Sequence, residues 1–172
     1  MDIYFCLVKR LQTIIFIPIF FDEQNPNLDP LTLFLFPSYT IIKNISTQYK
    51  NINMMGISGG GWKTVILAAL LPEVDTSISI SGTIPFAYKH LKTNLLGDWE
   101  DVYSYLYKEI SYFDLYQLMT LDSKGEKKRN AFLVYNKNEP FFRHPWSTHF
   151  KNFSESESFL KYKVIVEDKK YH

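Results

Sequence analysis

Met54-Met-Gly-Ile-Ser-Gly-Gly-Gly-Trp-Lys-Thr64 is the stretch that decides the fold. Gly56, Ser58 and Gly60 make a G-x-S-x-G, with an apolar strand-like run before it (Ile52 to Ile57) and a helix-like run after it (Lys63 to Leu71). In that strand–turn–helix setting the motif predicts a nucleophile elbow. The turn is expected to be so tight that side chains at positions 56 and 60 would strike neighbouring backbone, hence two glycines. Ser58 itself is expected in a strained conformation that lifts its hydroxyl above the sheet. The helix beyond would direct its free N–H groups at the same spot, where they favour an oxyanion. Two plainer readings compete. G-x-S-x-G also arises by chance in structural turns. A phosphate-binding loop requires G-x-x-x-x-G-K-[ST], and Gly56 to Lys63 is one residue too long for it.

The surrounding chain is consistent with one domain. It has 172 residues, 46% of them apolar and 17% aromatic, enough for a packed core. Nineteen basic residues balance eighteen acidic ones, so the charge gives no reason to propose a nucleic-acid partner. The basic cluster Lys124 to Arg129 reads as a solvated loop. A single cysteine, Cys6, precludes an internal disulfide and leans toward a reducing, cytoplasmic compartment. Thr13 to Phe21 is very apolar, but it is too short to span a bilayer and contains Pro18. It also lacks a small-residue cleavage site, so a buried strand is the favoured reading over a signal anchor and no stable membrane span is expected.

Patterning along the chain predicts alternating elements. Asp2 to Gln12 is a candidate helix with Ile3, Leu7 and Leu11 on one face. Strands are expected at 13–19, 51–57, 76–81, 129–135 and 162–167, and helices at 31–49, 61–71 and 147–160. Pro37 is a candidate break in the first of these helices, and Pro72 the stop of the second. Between 86 and 124 the alternation gives way to a tyrosine-rich helical insert. The fold class expected is α/β, a mostly parallel sheet of about five strands with flanking helices and right-handed crossovers.

Four segments together resemble a branch of the α/β-hydrolase superfamily: Gly56-Ile-Ser-Gly-Gly-Gly-Trp62, Gly97-Asp-Trp-Glu100, Tyr112-Phe-Asp-Leu-Tyr116 and Asn136-Lys-Asn-Glu-Pro-Phe141. The resemblance covers roughly residues 12–172. It implies a serine hydrolase acting on an ester or other acyl bond of a small molecule, with no metal or organic cofactor. The fold orders its triad Ser, acid, His. Carried onto this chain, Ser58 is the nucleophile, Glu139 the acid beyond the strand that follows the insert, and His172 the base after the last strand. The branch usually has aspartate where Glu139 stands; glutamate is a known variant. The Gly59 N–H would donate to the oxyanion. Trp62, Trp99 and Tyr103, with Tyr88, Tyr105, Tyr107 and Tyr112, would form an acyl pocket or lid.

Rivals exist at two of the triad positions. Asn136 and Asp122 compete with Glu139, and His90, His144 and His149 compete with His172, while Asp98 and Asp114 read as capping or turn residues. A full hydrolase domain also has eight strands, and here the first three are missing, including the one that carries the second oxyanion donor. The chain is therefore expected to be a partial hydrolase domain with impaired activity. The alternative is a non-catalytic relative that binds a ligand or partner through the same cleft.

Overall fold

A computed structural model describes residues 30–89, 104–126, 129–139, 146–158 and 160–168. The elements, in chain order, are α1 (Pro30–Ile45), β1 (Ile52–Ile57), α2 (Gly59–Leu70), β2 (Val74–Ile80), α3 (Phe86–Lys89), α4 (Ser104–Glu109), α5 (Tyr112–Leu118), β3 (Asn130–Asn136), α6 (Trp146–Ser156) and β4 (Lys163–Glu167). The four strands form one sheet in the order β1-β2-β3-β4, every pair parallel. The α/β class and the parallel sheet expected from the patterning are present, with four strands among the described residues. The fifth expected strand, 13–19, and the helix at 2–12 lie outside them.

A strand order that runs in one direction has a consequence. Right-handed crossovers then place every connecting helix on the same side of the sheet. Residues facing that side are buried: Ser77 and Ser79 of β2, Ala131, Leu133 and Tyr135 of β3, and Val164 of β4. The small side chains on β2 leave room for α2, which is buried from Gly61 to Leu70 except at Lys63 and forms the centre of the core. Burying Trp62, Val65, Ile66, Leu67 and Leu70 contributes about 1.5–3 kcal/mol each before entropy is subtracted. The opposite side carries in-register apolar rows, Met55–Ile78–Phe132 and Ile57–Ile80–Val134–Ile165. These residues are half-buried or exposed, with Met55 and Ile57 at 67% and 64%. Parallel sheets are ordinarily covered on both faces.

α1 runs through Pro37 without a break, against the expectation. An internal proline frees the carbonyl four residues back, here that of Leu33. Both Leu33 and Pro37 are on the exposed side of α1, so water can satisfy that oxygen, while Leu31, Leu35 and Ile42 stay buried on the other. α2 ends at Leu70, because Leu71 precedes Pro72 and takes an extended conformation (φ −112°, ψ 98°).

The buried polar groups hold the layers in place. Arg129, grouped with the solvated lysines by sequence, is instead in the core. Its Nη1 donates to the carbonyls of Ala68 (2.8 Å), Leu71 (2.8 Å) and Val74 (3.2 Å). Nε donates to Leu121 O and Nη2 to Leu118 O. One guanidinium thus caps the C-terminal ends of α2 and α5, where unpaired carbonyls and the helix dipole favour a cation. Burial lowers its pKa to about 10, which leaves it charged at neutral pH.

The aromatic residues tie the helical insert to the sheet. Trp62 Nε1 and Tyr112 Oη each donate to Tyr107 Oη at 2.7 Å. Tyr116 Oη shares a hydrogen bond with Thr83 Oγ1 (2.8 Å), and Tyr135 Oη donates to Thr83 O (2.7 Å). Phe150 packs against Tyr116 and Tyr162 with ring centres 5.9 and 6.3 Å away.

Replacing Arg129 with Met should destabilise the fold by about 3–5 kcal/mol, because five carbonyls each lose a charged donor and Leu71 O and Leu118 O keep only a 3.2 Å bond from Val74 N and Leu121 N. Urea midpoints test this, and a loss below about 0.5 kcal/mol, typical of a surface residue, would contradict the clamp. A second expectation concerns alkaline pH. Burial raises the phenol pKa of Tyr116, Tyr135 and Tyr162 above the usual 10. The folded state then keeps protons that the unfolded chain loses, so their contribution is intact below about pH 10 and disappears as the pH rises beyond it. The expected slope is about 1.4 kcal/mol per pH unit for each of these tyrosines, read from urea midpoints against pH. Normal titration of all twelve tyrosines in the folded protein would refute it.

Candidate active site

Ser58 belongs to the sheet by its amide and to the helix by its carbonyl. Its N–H donates to Ile80 O (2.9 Å), continuing the β1–β2 ladder, and its C=O accepts from Trp62 N (2.9 Å) in the first turn of α2. The chain must change direction within this one residue. It does so at φ 54°, ψ −127°, a region that only glycine reaches without strain. Holding a serine there costs about 1–3 kcal/mol. The side chain makes no capping bond to the helix, although serine is a good capping residue, and Ser58 is exposed. Gly59 opens α2, and its N–H is among the first amides of the helix, which have no partner within it. No acidic side chain lies in that first turn to oppose an anion.

The glycines divide the work differently from the sequence expectation. A Cβ at Gly56 would stand 2.1 Å from Gly60 O and 2.3 Å from Gly60 C, so position 56 must be glycine. A Cβ at Gly60 would meet nothing within 4 Å. The expectation that both side chains would collide is therefore corrected: the backbone of Gly60 is the obstacle, and its missing side chain is not needed for space. The second crowded pair is Gly61 with Gly82. A Cβ at Gly82 would lie 2.3 Å from Gly61 C, and one at Gly61 would lie 2.9 Å from Gly82 Cα. In the sequence, Gly82 only follows the strand expected at 76–81.

The parallel strands bring their C-terminal ends to one rim. Glu139 stands there, three residues past β3 and 8% exposed, in a turn closed by Glu139 N to Asn136 O (3.1 Å) and Asn138 N to Asn136 Oδ1 (2.9 Å). Lys137 N donates to Glu167 O (2.9 Å), so the chain leaves β4 beside that turn. The rivals of Glu139 have structural roles. Asn136 accepts within the turn, and Asp122 accepts from Lys124 N (2.8 Å) and Glu126 N (3.0 Å) in a loop. Asp114 is the N3 member of a capping box with Ser111, as its position suggested. His149 is exposed and packs edge-on against Trp146, 5.8 Å between ring centres. Lys63, which a phosphate loop would need, lies 3.7 Å above the ring of Phe34.

Trp62 is 1% exposed, with its indole N–H committed to Tyr107. His172, His90, His144, Trp99, Tyr103 and Asp98 lie outside the described residues. Ser81, at φ 45°, is the second non-glycine residue with positive φ among the described residues. The dipeptide Ser81-Gly82 gave no signal beyond a strand end.

Among the described residues no group of His, Cys, Asp and Glu is arranged to hold a metal ion, and no helix is long and apolar enough to cross a membrane. The glycine geometry makes a discriminating pair of variants. Gly56→Ala should cost about 4 kcal/mol or more, or prevent folding, while Gly60→Ala should be neutral or stabilise α2 by up to about 1 kcal/mol. Equal damage in denaturant titrations of the two would contradict the turn. In comparisons with known proteins, no family model, no curated protein and no solved structure matches this chain.

Proposed function

We propose that this chain is a serine hydrolase of the α/β-hydrolase type, cleaving an ester or other acyl bond through Ser58, Glu139 and His172. The observation that carries the reading is the strained, uncapped, exposed Ser58 between a parallel strand and the N-terminus of a helix. Strand order supports the rest. Ser58 follows β1 and Glu139 follows β3 on one rim, and β4 ends at that rim five residues before His172 in the sequence. Five residues reach at most about 17 Å, and three strand spacings amount to about 14 Å. An imidazole at position 172 therefore has the chain length to meet both Glu139 and Ser58. Burial of Glu139 suits an acid that fixes and stabilises an imidazolium.

In this reading His172 removes the Ser58 proton as Oγ attacks the carbonyl carbon. The Gly59 N–H and the α2 dipole stabilise the tetrahedral oxyanion. The imidazolium returns the proton to the leaving group as the carbon–leaving-group bond breaks, and water then releases the acyl group by the reverse proton path.

The second reading, a non-catalytic ligand-binding relative, is favoured by the outer edge of β1, which pairs with no strand among the described residues. That edge is where the second oxyanion donor of the fold is expected. A fluorophosphonate probe separates the two. Hydrolase chemistry predicts labelling that Ser58→Ala abolishes and that Glu139→Gln and His172→Ala slow by roughly 10³–10⁴-fold. A folded sample that labels no better than Ser58→Ala would leave only the binding reading.

A further inference from the structure

Ser58 and Ser81 are the two non-glycine residues with positive φ among the described residues, and they are neighbours. Ile57 and Ile80 are register partners, so the two serines are the next residue on adjacent strands, about 5 Å apart at the backbone. Their amides continue the ladder in step: Ser58 N donates to Ile80 O (2.9 Å), and Ser81 N to Val134 O (2.8 Å). The position of Ser81 is fixed from both sides. The sheet holds its amide, and the backbone contact of Gly82 with Gly61 holds the next residue against the first turn of α2.

Two of the hydroxyls near Ser81 are engaged in structure, those of Ser77 and Thr83. Ser77 Oγ donates to Asn130 O, and Thr83 Oγ1 shares a hydrogen bond with Tyr116 Oη. The half-buried Ser81 has no side-chain hydrogen bond among the described residues, and its conformation is one that glycine would adopt without strain. A serine at such a place adds one thing that glycine lacks, a hydroxyl one strand away from Ser58. Non-glycine residues held in unfavourable backbone regions cluster where ligands bind.

We infer that Ser81 is a substrate-contacting residue whose hydroxyl hydrogen-bonds a polar atom on the acyl group held at Ser58. This rests on the hydrolase reading and narrows its substrate class to acyl compounds with an oxygen or nitrogen close to the scissile carbonyl. Hydrophobic walls discriminate weakly between such acyl groups and their hydrocarbon isosteres, whereas a placed hydroxyl does so strongly.

The test compares p-nitrophenyl methoxyacetate with p-nitrophenyl butyrate, in which a methylene replaces the ether oxygen. Ser81→Ala removes the hydroxyl and keeps the backbone strain; Ser81→Gly removes both, so it folds at least as well. The expected result is that both variants lose about tenfold in kcat/KM for methoxyacetate while kcat/KM for butyrate changes less than about twofold. Fluorophosphonate labelling of Ser58 in the unaltered protein is read alongside. Turnover with an unchanged ratio of the two esters, or an equal loss on both, overturns the role of Ser81 and leaves the Ser58 reading standing. No turnover and no labelling in the unaltered protein overturns the Ser58 reading, and the role of Ser81 with it.

Discussion

The turn between β1 and α2 depends on two backbones passing closer than any side chain would allow. Gly56 faces the carbonyl of Gly60 across a gap that a methyl group would overfill, and Gly61 faces Gly82 in the same way. These two contacts set the angle at which α2 leaves the sheet. They also force Ser58 to reverse the chain within one residue, which explains its positive φ. The strain at Ser58 is thus a consequence of close packing around it. It persists because the sheet bond from its amide and the helix bond to its carbonyl leave no alternative path.

Burial of α2 stabilises this arrangement. From Gly61 to Leu70 the helix is surrounded, with the sheet on one side and α1 and α5 on others. Its C-terminal end is closed by Arg129, whose guanidinium also caps α5 and reaches Val74 at the start of β2. The helix whose N-terminus faces Ser58 is therefore anchored at its far end by a buried cation. At the near end, Trp62 is fixed through Tyr107 to the helical insert, and Thr83 joins the loop after β2 to Tyr116 and Tyr135. A side chain placed on such a support has little freedom to move.

The two faces of the sheet have unequal roles. All described crossovers serve the face beneath α2, because the strands are laid down in one direction. The other face presents Met55, Ile57, Ile78, Ile80, Phe132, Val134 and Ile165 in register. Such rows are the composition of a covered sheet, not of a solvated one.

Local sequence determined a good deal of this protein. Hydrophobic runs bounded by turn residues located β1, β2, β3 and β4 to within two residues, because a strand buried in a parallel sheet needs a continuous apolar stretch. The G-x-S-x-G between strand and helix located Ser58, since only a sharp bend requires glycine at position 56. Asp114, read as a capping or turn residue, is a cap. Other features were settled only by tertiary structure. Arg129 looks like a solvated charge until two helix ends converge on it. Gly60 looks as crowded as Gly56, but the collision belongs to whichever residue faces the other's backbone. Pro37 looks like a helix breaker unless its side of α1 meets water. Gly82 and Ser81 acquire meaning from residues about twenty positions earlier in the chain. Sequence encodes the propensity of each segment; which backbone atoms come within contact distance is decided only when the segments pack.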